Sequence, residues 1–128
     1  MSGKRNPVYV VQKHEASHLH YDLRLEMEGV LRSWAVPKEP SNEPNVRRLA
    51  IQVEDHPLDY AKFEGVIPEG EYGAGRVQIW DSGNYEIIER TGSRLSVEIH
   101  GKKLEGKFAL VKFGKAGENS WLFFKRKE

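Results

Sequence analysis

The segment "LHYDLRLEM", Leu19 to Met27, alternates apolar and polar residues with a period of two. This period is typical of a β-strand, because successive side chains of an extended chain point to opposite faces. The apolar positions are Leu19, Tyr21, Leu23 and Leu25, and the polar positions are His20, Asp22, Arg24 and Glu26. The pattern predicts a half-buried strand with one face in a core and a second face rich in ionisable groups.

The same alternation recurs further along the chain. It predicts strands in "RLAIQVEDH" (48–56) and "NSWLFFKRK" (119–127). In "RVQIWDSGNYEIIE" (76–89) it predicts a hairpin around residues 81–84, because Asp, Ser, Gly and Asn are common in turns. No window of twelve or more residues keeps a convincing helical period.

Glycine and proline separate these strands. "RLSVEIHGKKLEGKFALVKF" (94–113) is interpreted as strands divided by turns at Gly101 and Gly106. Two irregular stretches, "VPKEPSNEPNV" (36–46) and "HPLDYAKFEGVIPEGEYGAG" (56–75), are predicted to be surface loops. Short strands with frequent turns indicate an all-β fold, an antiparallel barrel or sandwich with few or no helices. We expect Trp34, Trp80 and Trp121 to fill its core.

Composition limits the class of protein. A chain of 128 residues, 38% hydrophobic and 30% charged, is typical of one globular domain, which we assign to residues 1–128. No apolar run approaches the roughly 20 residues that cross a bilayer, so we expect no membrane and a cytoplasmic location. Cysteine is absent, which excludes disulfides and thiolate metal sites and leaves His, Asp and Glu as metal ligands.

Charge is unevenly distributed. Residues 1–48 carry 8 Lys/Arg and 6 Asp/Glu, residues 49–92 carry 3 and 9, and residues 93–128 carry 9 and 4. The basic C-terminal third is suited to a phosphate backbone. The alternative is that its lysines only solvate strand edges and turns. These lysines include Lys102, Lys103, Lys107, Lys112 and Lys115.

A candidate metal site lies on the polar face of the first segment. His20 and Asp22 are two residues apart, and His14 has the same parity, so their side chains are expected on one side of the sheet. Two imidazoles and a carboxylate are a common ligand set for a divalent ion with open positions, and they suit Mn²⁺, Fe²⁺ or Zn²⁺. His18 lies nearer a bend and ranks lower. The alternative is a solvated strand face with incidental histidines.

Several other residues gain interest if they converge on that face. Arg24 offers a bidentate grip on an anion, and phosphate suits a metal with an arginine. Lys38 and Arg48 would add positive charge. His56 would bind phosphate or act as a general acid, and Tyr60 would hydrogen-bond to phosphate. Taken singly, each is also explained as a surface, turn or core residue.

Two long blocks resemble a known family. "KHEASHLHYDLRLEMEGVLRSWAVPKEPS" (13–41) and "RRLAIQVEDHPLDYAKFEGVIPEGEYGAGRVQIWDSGNY" (47–85) closely resemble the 3′-phosphoesterase domain of bacterial DNA ligase D. The resemblance implies an eight-stranded antiparallel β-barrel with a crescent-shaped groove. It also implies Mn²⁺-dependent phosphodiesterase action on 3′-terminal ribonucleosides, and phosphomonoesterase action that leaves a 3′-OH end. Co²⁺ or Zn²⁺ would be substitutes.

The resemblance also implies roles for individual residues. The metal ligands would be His14, His20 and Asp22, and the phosphate-binding or catalytic positions would include Arg24, His56 and Tyr60. Lys38 and Arg48 match basic residues of the monoesterase step. Glu39 stands where the family usually has Gly, and we expect it to weaken phosphate binding next to Lys38.

The expected partner is a DNA primer-template with a 3′-ribonucleotide or a 3′-phosphate. We further expect a monomer that works with a separate DNA ligase and end-joining proteins. One competing hypothesis is a non-catalytic nucleic-acid-binding barrel of the OB type, indifferent to chelators. Another is a small metal-barrel enzyme acting on free nucleotides or sugar phosphates.

Overall fold

In the part of the chain that the structure describes, nine β-strands form a continuous antiparallel sheet that closes on itself. The computed structural model describes residues 6–114 and 117–127, so the N-terminal residues 1–5 and Lys115 lie outside the described residues. The strands are β1 Val8–Glu15, β2 Leu19–Met27, β3 Val30–Val36, β4 Arg48–His56, β5 Gly65–Ile67, β6 Gly75–Arg90, β7 Arg94–His100, β8 Glu105–Lys112 and β9 Ser120–Lys125. A 3₁₀ turn spans Leu58–Lys62.

The sheet is a barrel of eight strands with one short additional strand. Its order is β1-β2-β3-β4-β9-β8-β7-β6, and β6 pairs with β1 to close the ring. β5 adds to the free edge of β6. The prediction of an all-β antiparallel barrel of about eight strands is confirmed. In the described part of the chain, no helix is long and apolar enough to span a membrane.

The interior is filled by one face of each strand, as the alternation predicts. Tyr21, Leu23 and Leu25 are buried there, whereas Leu19 is exposed at the start of β2. Trp34 and Trp121 are also in this core, and the half-buried Trp80 packs against it. The largest fully buried aromatic residues are Tyr9, Tyr85, Phe108 and Phe123.

The prediction of a half-buried strand is wrong for the middle of β2. Asp22 and Arg24 lie on the face opposite the core, yet they are only 6% and 3% exposed. The segment after β4 covers them, because Gln12 on β1 donates hydrogen bonds of 2.8 and 3.2 Å to the carbonyl oxygens of Tyr60 and Phe63. The outer face of this hairpin is therefore a buried polar layer.

Two predicted turns are wrong. Residues 81–84 lie inside β6, because the backbone of β1 pairs with them and a bulge at Val11/Gln12 absorbs the irregularity. Gly83 is needed there for a close approach, since a Cβ would collide with the carbonyl oxygen of His100. Gly106 lies inside β8 opposite Ile99. The predicted turn at Gly101 is confirmed.

A tight turn sets the register of β2 and β3. Glu28 and Gly29 have φ angles of 55° and 84°, as a two-residue hairpin loop requires. The resulting register places Ser33 directly opposite Arg24. The loop predicted at 36–46 is confirmed beyond the end of β3, apart from an isolated bridge between Pro44 and Lys125.

Candidate active site

The three predicted metal ligands come together on the outer face of the β1–β2 hairpin. His14 and His20 are cross-strand partners, and Asp22 is opposite Gln12. One ligand atom from each of His14, His20 and Asp22 lies within 4.8 Å of the other two. Nδ1 of His14 is 3.6 Å from Oδ2 of Asp22, and Nε2 of His20 is 3.3 Å from Oδ1.

Backbone carbonyl groups orient both imidazoles. Nε2 of His14 is 2.8 Å from the carbonyl oxygen of Gly73, and Nδ1 of His20 is 3.1 Å from that of His18. A carbonyl oxygen only accepts, so these two nitrogens carry the protons and donate. In the neutral rings, the remaining nitrogen of each therefore presents its lone pair to Asp22. Such hydrogen bonds from the distal nitrogen are typical of metal-binding histidines.

The charges in this cluster suit a cation. Two lone pairs and a carboxylate face one another, which is repulsive unless a proton or a cation lies among them. Burial alone would raise the pKa of Asp22, but a hydrogen bond from protonated His20 and the charge of Arg24 outweigh it and lower that pKa. The hydrogen bond with Asp22 raises the pKa of His20 against the effect of burial. This nitrogen and oxygen donor set fits a divalent transition metal.

Arg24 lies beside the cluster and is held on several sides. Its Nη2 is 3.4 Å from Oδ2 of Asp22. Its Nε donates to Oε1 of Gln12 at 2.6 Å, and its Nη1 donates to Oγ of Ser33 at 2.8 Å. Burial lowers the pKa of Arg24 from its ordinary value, with Asp22 opposing that shift. A guanidinium fixed in this way is a preorganised partner for an anion.

His56 and Tyr60 complete the group. Nη1 of Arg24 is 3.1 Å from Nδ1 of His56, and the guanidinium carbon lies 5.0 Å from the centre of the Tyr60 ring. Burial and the charge of Arg24 lower the pKa of His56, so the ring is neutral at neutral pH. Nδ1 of His56 is also 3.2 Å from the carbonyl oxygen of Glu54, so the ring proton is on Nε2 when Nδ1 accepts from Arg24 and on Nδ1 when it donates to Glu54. Burial raises the pKa of Tyr60, which keeps its hydroxyl protonated.

These side chains line one cavity of about 670 Å³. It contains the six residues His14, His20, Asp22, Arg24, His56 and Tyr60, which the structure therefore brings together. Lys38 and Arg48 do not line it: Lys38 is exposed after β3, and Arg48 lines a different cavity. His18 contributes only its carbonyl oxygen.

Sequence reasoning missed the residues that support this site. Gln12 holds Arg24, Ser33 accepts from it, and Gly73 orients His14. Gln12 could have been found, because it has the same parity as His14 on β1. Ser33 required the register of the β2–β3 hairpin, and Gly73 required knowledge of how the 57–74 segment folds back.

Comparison with known proteins finds one family that matches most of the chain. A family profile described as "DNA Ligase D 3'-phosphoesterase domain" matches residues 12–112. The multifunctional non-homologous end joining protein LigD of Pseudomonas aeruginosa is 52% identical over an alignment 126 residues long that covers 94% of this chain and 15% of that protein. LigD of Mycobacterium bovis is 51% identical over 109 residues, 81% of this chain and 14% of that protein. LigD of Mycolicibacterium smegmatis is 43% identical over an alignment 134 residues long that covers 96% of this chain and 17% of that protein.

The matched region is a small part of each relative. The chain spans about a sixth of the length of these proteins. The profile nevertheless covers well over half of the chain, including every predicted site residue from His14 to Tyr60. The chain therefore belongs to the DNA ligase D 3′-phosphoesterase domain family.

Proposed function

We propose that this chain is a metal-dependent phosphoesterase that heals DNA 3′ ends. It removes 3′-terminal ribonucleosides as a phosphodiesterase and 3′-phosphates as a phosphomonoesterase, and it leaves 3′-OH ends for repair. The observation that carries the proposal is the convergence of ligand atoms from His14, His20 and Asp22 next to the buried Arg24. An anion-binding group beside a cation site suits a phosphate ester.

The proposed cofactor is Mn²⁺, with Co²⁺ or Zn²⁺ as substitutes. His14 through Nδ1, His20 through Nε2 and Asp22 through its carboxylate would hold the ion. A divalent cation in this position supplies Lewis-acid stabilisation of negative charge on a phosphate oxygen. The carbonyl oxygens of His18 and Gly73 keep both imidazoles in the tautomer that this requires.

The residues around the cluster would bind the substrate and manage its charge. Arg24 binds a non-bridging phosphate oxygen, and its bonds to Gln12 and Ser33 fix its direction before substrate arrives. With its proton on Nε2, the neutral His56 ring would donate a hydrogen bond to a phosphate oxygen in the cavity. The hydroxyl of Tyr60 donates to the phosphate. Lys38 and Arg48 would act outside the cavity, on the incoming strand.

The proposed substrate is a DNA primer-template that ends in a ribonucleotide or a 3′-phosphate. The names of the relatives associate them with non-homologous end joining, so we propose that this chain prepares ends for a DNA ligase in that process. The protein is proposed to act as a monomer.

A single experiment tests the proposal. The purified chain is incubated with Mn²⁺ and a labelled primer-template ending in one ribonucleotide, and a gel separates 3′-phosphate from 3′-OH products. We expect both products, and we expect EDTA to abolish them. Binding of single strands that ignores EDTA, with no product, would instead support a non-catalytic OB-type barrel.

A further inference from the structure

A second polar cavity, which we call the rim cavity, lies between the loop after β3, the start of β4, strand β6 and the turn that follows β7. It measures about 430 Å³ and is lined by Glu39, Arg48, Trp80 and Lys103, among others. Tyr21, which lies between His20 and Asp22 in sequence, points away from them and contacts the Trp80 ring at 5.8 Å. Its hydroxyl is 3.4 Å from Oε1 of Glu39. Tyr21 therefore contacts two residues that line the rim cavity, whereas its neighbours His20 and Asp22 line the candidate active site.

The rim cavity is lined by two cations, Arg48 and Lys103. Nε of Arg48 donates to the carbonyl oxygen of Glu39 at 2.7 Å, and Nζ of Lys103 lies 4.5 Å from the centre of the Trp80 ring. Within residues 6–114 and 117–127, neither Arg48 nor Lys103 forms an ion pair with a carboxylate. Only Glu39 opposes them among the lining residues.

The backbone that carries Lys103 is fixed by a buried carboxylate. Asp81 accepts hydrogen bonds of 2.9, 3.0 and 2.9 Å from the backbone N–H groups of Lys102, Lys103 and Leu104. The hydroxyl of Tyr9 donates a fourth at 2.9 Å. This arrangement holds the turn rigidly next to Trp80, so that the ammonium group is presented with little loss of conformational freedom.

We propose that the rim cavity binds a phosphodiester group of the DNA strand, at a nucleotide other than the one being cleaved. The proposal rests on the proposed function and extends it to a second contact with the substrate. Arg48 and Lys103 pair with the phosphate, and Trp80 provides an apolar wall for the adjoining sugar or base. Glu39 weakens the contact by repulsion.

The chain offers a matched pair of lysines for the test. Lys102 and Lys103 are adjacent, exposed and bonded to the same Asp81 carboxylate through their backbone, but only Lys103 lines the rim cavity. Alanine at either position removes one charge and preserves that backbone bond. Affinity of the full chain for a labelled single strand and for a primer-template is measured in EDTA by fluorescence anisotropy, over a series of salt concentrations.

We expect Lys103→Ala to weaken binding about fivefold and to reduce the slope of log affinity against log salt by about one, whereas Lys102→Ala changes neither appreciably. Glu39→Gln should tighten binding. DNA should also quench Trp80, which is more exposed than Trp34 and Trp121, and Trp80→Phe should remove that signal. Equal effects of the two lysine variants would overturn the proposal in favour of general surface charge.

Two further arms separate the possible outcomes. In a separate titration, inorganic phosphate is added in place of DNA. Quenching of Trp80 fluorescence by phosphate but not by DNA would show that the cavity binds small anions only, and would also overturn the proposal. With Mn²⁺ present, Lys103→Ala should raise the KM for the primer-template and leave kcat unchanged. A wild-type chain without turnover would refute the proposed function, while the binding measurements in EDTA would still decide the rim cavity.

Discussion

Two buried aspartates, Asp22 and Asp81, are satisfied in different ways. They are 6% and 4% exposed. Asp81 accepts four hydrogen bonds of 2.9–3.0 Å, from Tyr9 and from three backbone N–H groups. Asp22 has two imidazole nitrogens and a guanidinium at 3.3–3.6 Å. The protein itself supplies all the hydrogen-bond donors that Asp81 needs. Asp22 is instead surrounded by longer contacts, to groups that could bind a cation together with it.

This difference suggests that one carboxylate stabilises the fold and that the other serves the candidate site. A carboxylate with a full set of donors holds the fold together, and its loss leaves buried N–H groups unpaired. A carboxylate surrounded by lone pairs and one guanidinium contributes chiefly to binding. The comparison therefore predicts opposite outcomes when each aspartate is replaced by asparagine.

The largest effect is expected at Asp22. Asp22→Asn removes the charge but preserves the shape, and we expect turnover of a 3′-phosphate substrate to fall by at least about 10³-fold. The variant should still unfold cooperatively, because the core lies on the other face of β2. Turnover within tenfold of the wild type would contradict the assignment of Asp22 as a ligand.

Asp81→Asn should have the larger effect on folding. The amide puts an N–H where an acceptor is needed, and we expect the free energy of unfolding in urea to fall by about 3 kcal/mol. At temperatures where the variant is folded, its kcat should stay within about threefold of the wild type. A free energy of unfolding equal to that of the wild type would contradict the structural role of Asp81.

Addition of the metal should distinguish the two variants directly. At a Mn²⁺ concentration about 100 times its dissociation constant, binding to the folded state alone adds about 2.7 kcal/mol of stability. Wild type and Asp81→Asn should show this as a rise in Tm that EDTA reverses. Asp22→Asn should show no rise in Tm. An equal rise in this variant would show that Mn²⁺ binds at another site.

The smallest effect concerns His56 and pH. Burial and the charge of Arg24 lower its pKa below the ordinary 6.5, while Asp22 and the nearby Glu54 oppose the shift. As the pH falls below about 6.5, the unfolded chain takes up a proton at His56 before the folded chain does, so the folded state loses stability. Because the ring is partly exposed, screening reduces this contribution.

His56→Asn tests this contribution, because asparagine still offers Arg24 an acceptor. In EDTA, the decrease in Tm between pH 7.5 and 5.5 should be smaller in the variant by about 1–2 °C. Wild type and variant share every other titrating group, so the difference isolates His56. Identical pH dependence would show that the folded protein does not lower the pKa of His56.

Much of the fold and the centre of the site could be predicted from alternation alone. The period of two along β2 separates the Tyr21, Leu23 and Leu25 face from the His20, Asp22 and Arg24 face, and the structure confirms that separation. Parity is a local property of an extended chain, so it survives into the folded protein. His14 joins them because the hairpin register places it opposite His20.

What failed depended on contacts distant in sequence. The turn-like residues 81–84 form part of a strand, because β1 pairs alongside and Asp81 binds the 101–104 turn. Asp22 and Arg24 are buried because the 57–74 segment folds over them, which local pattern cannot reveal. The roles predicted for Lys38 and Arg48 stay predictions: neither residue lines the cavity that holds the cluster, because Lys38 is exposed in the loop after β3 and Nε of Arg48 donates to the carbonyl oxygen of Glu39.

The pairing of β1 with β6 has a consequence for how the protein refolds. It joins residues more than sixty positions apart, such as Glu15 and Arg76, and contacts of this separation form slowly. His14 and Gln12 lie on β1 along this seam, and the segment that covers them leads directly into β6. After dilution from denaturant, catalytic activity should therefore return no earlier than the closure of the ring at this seam.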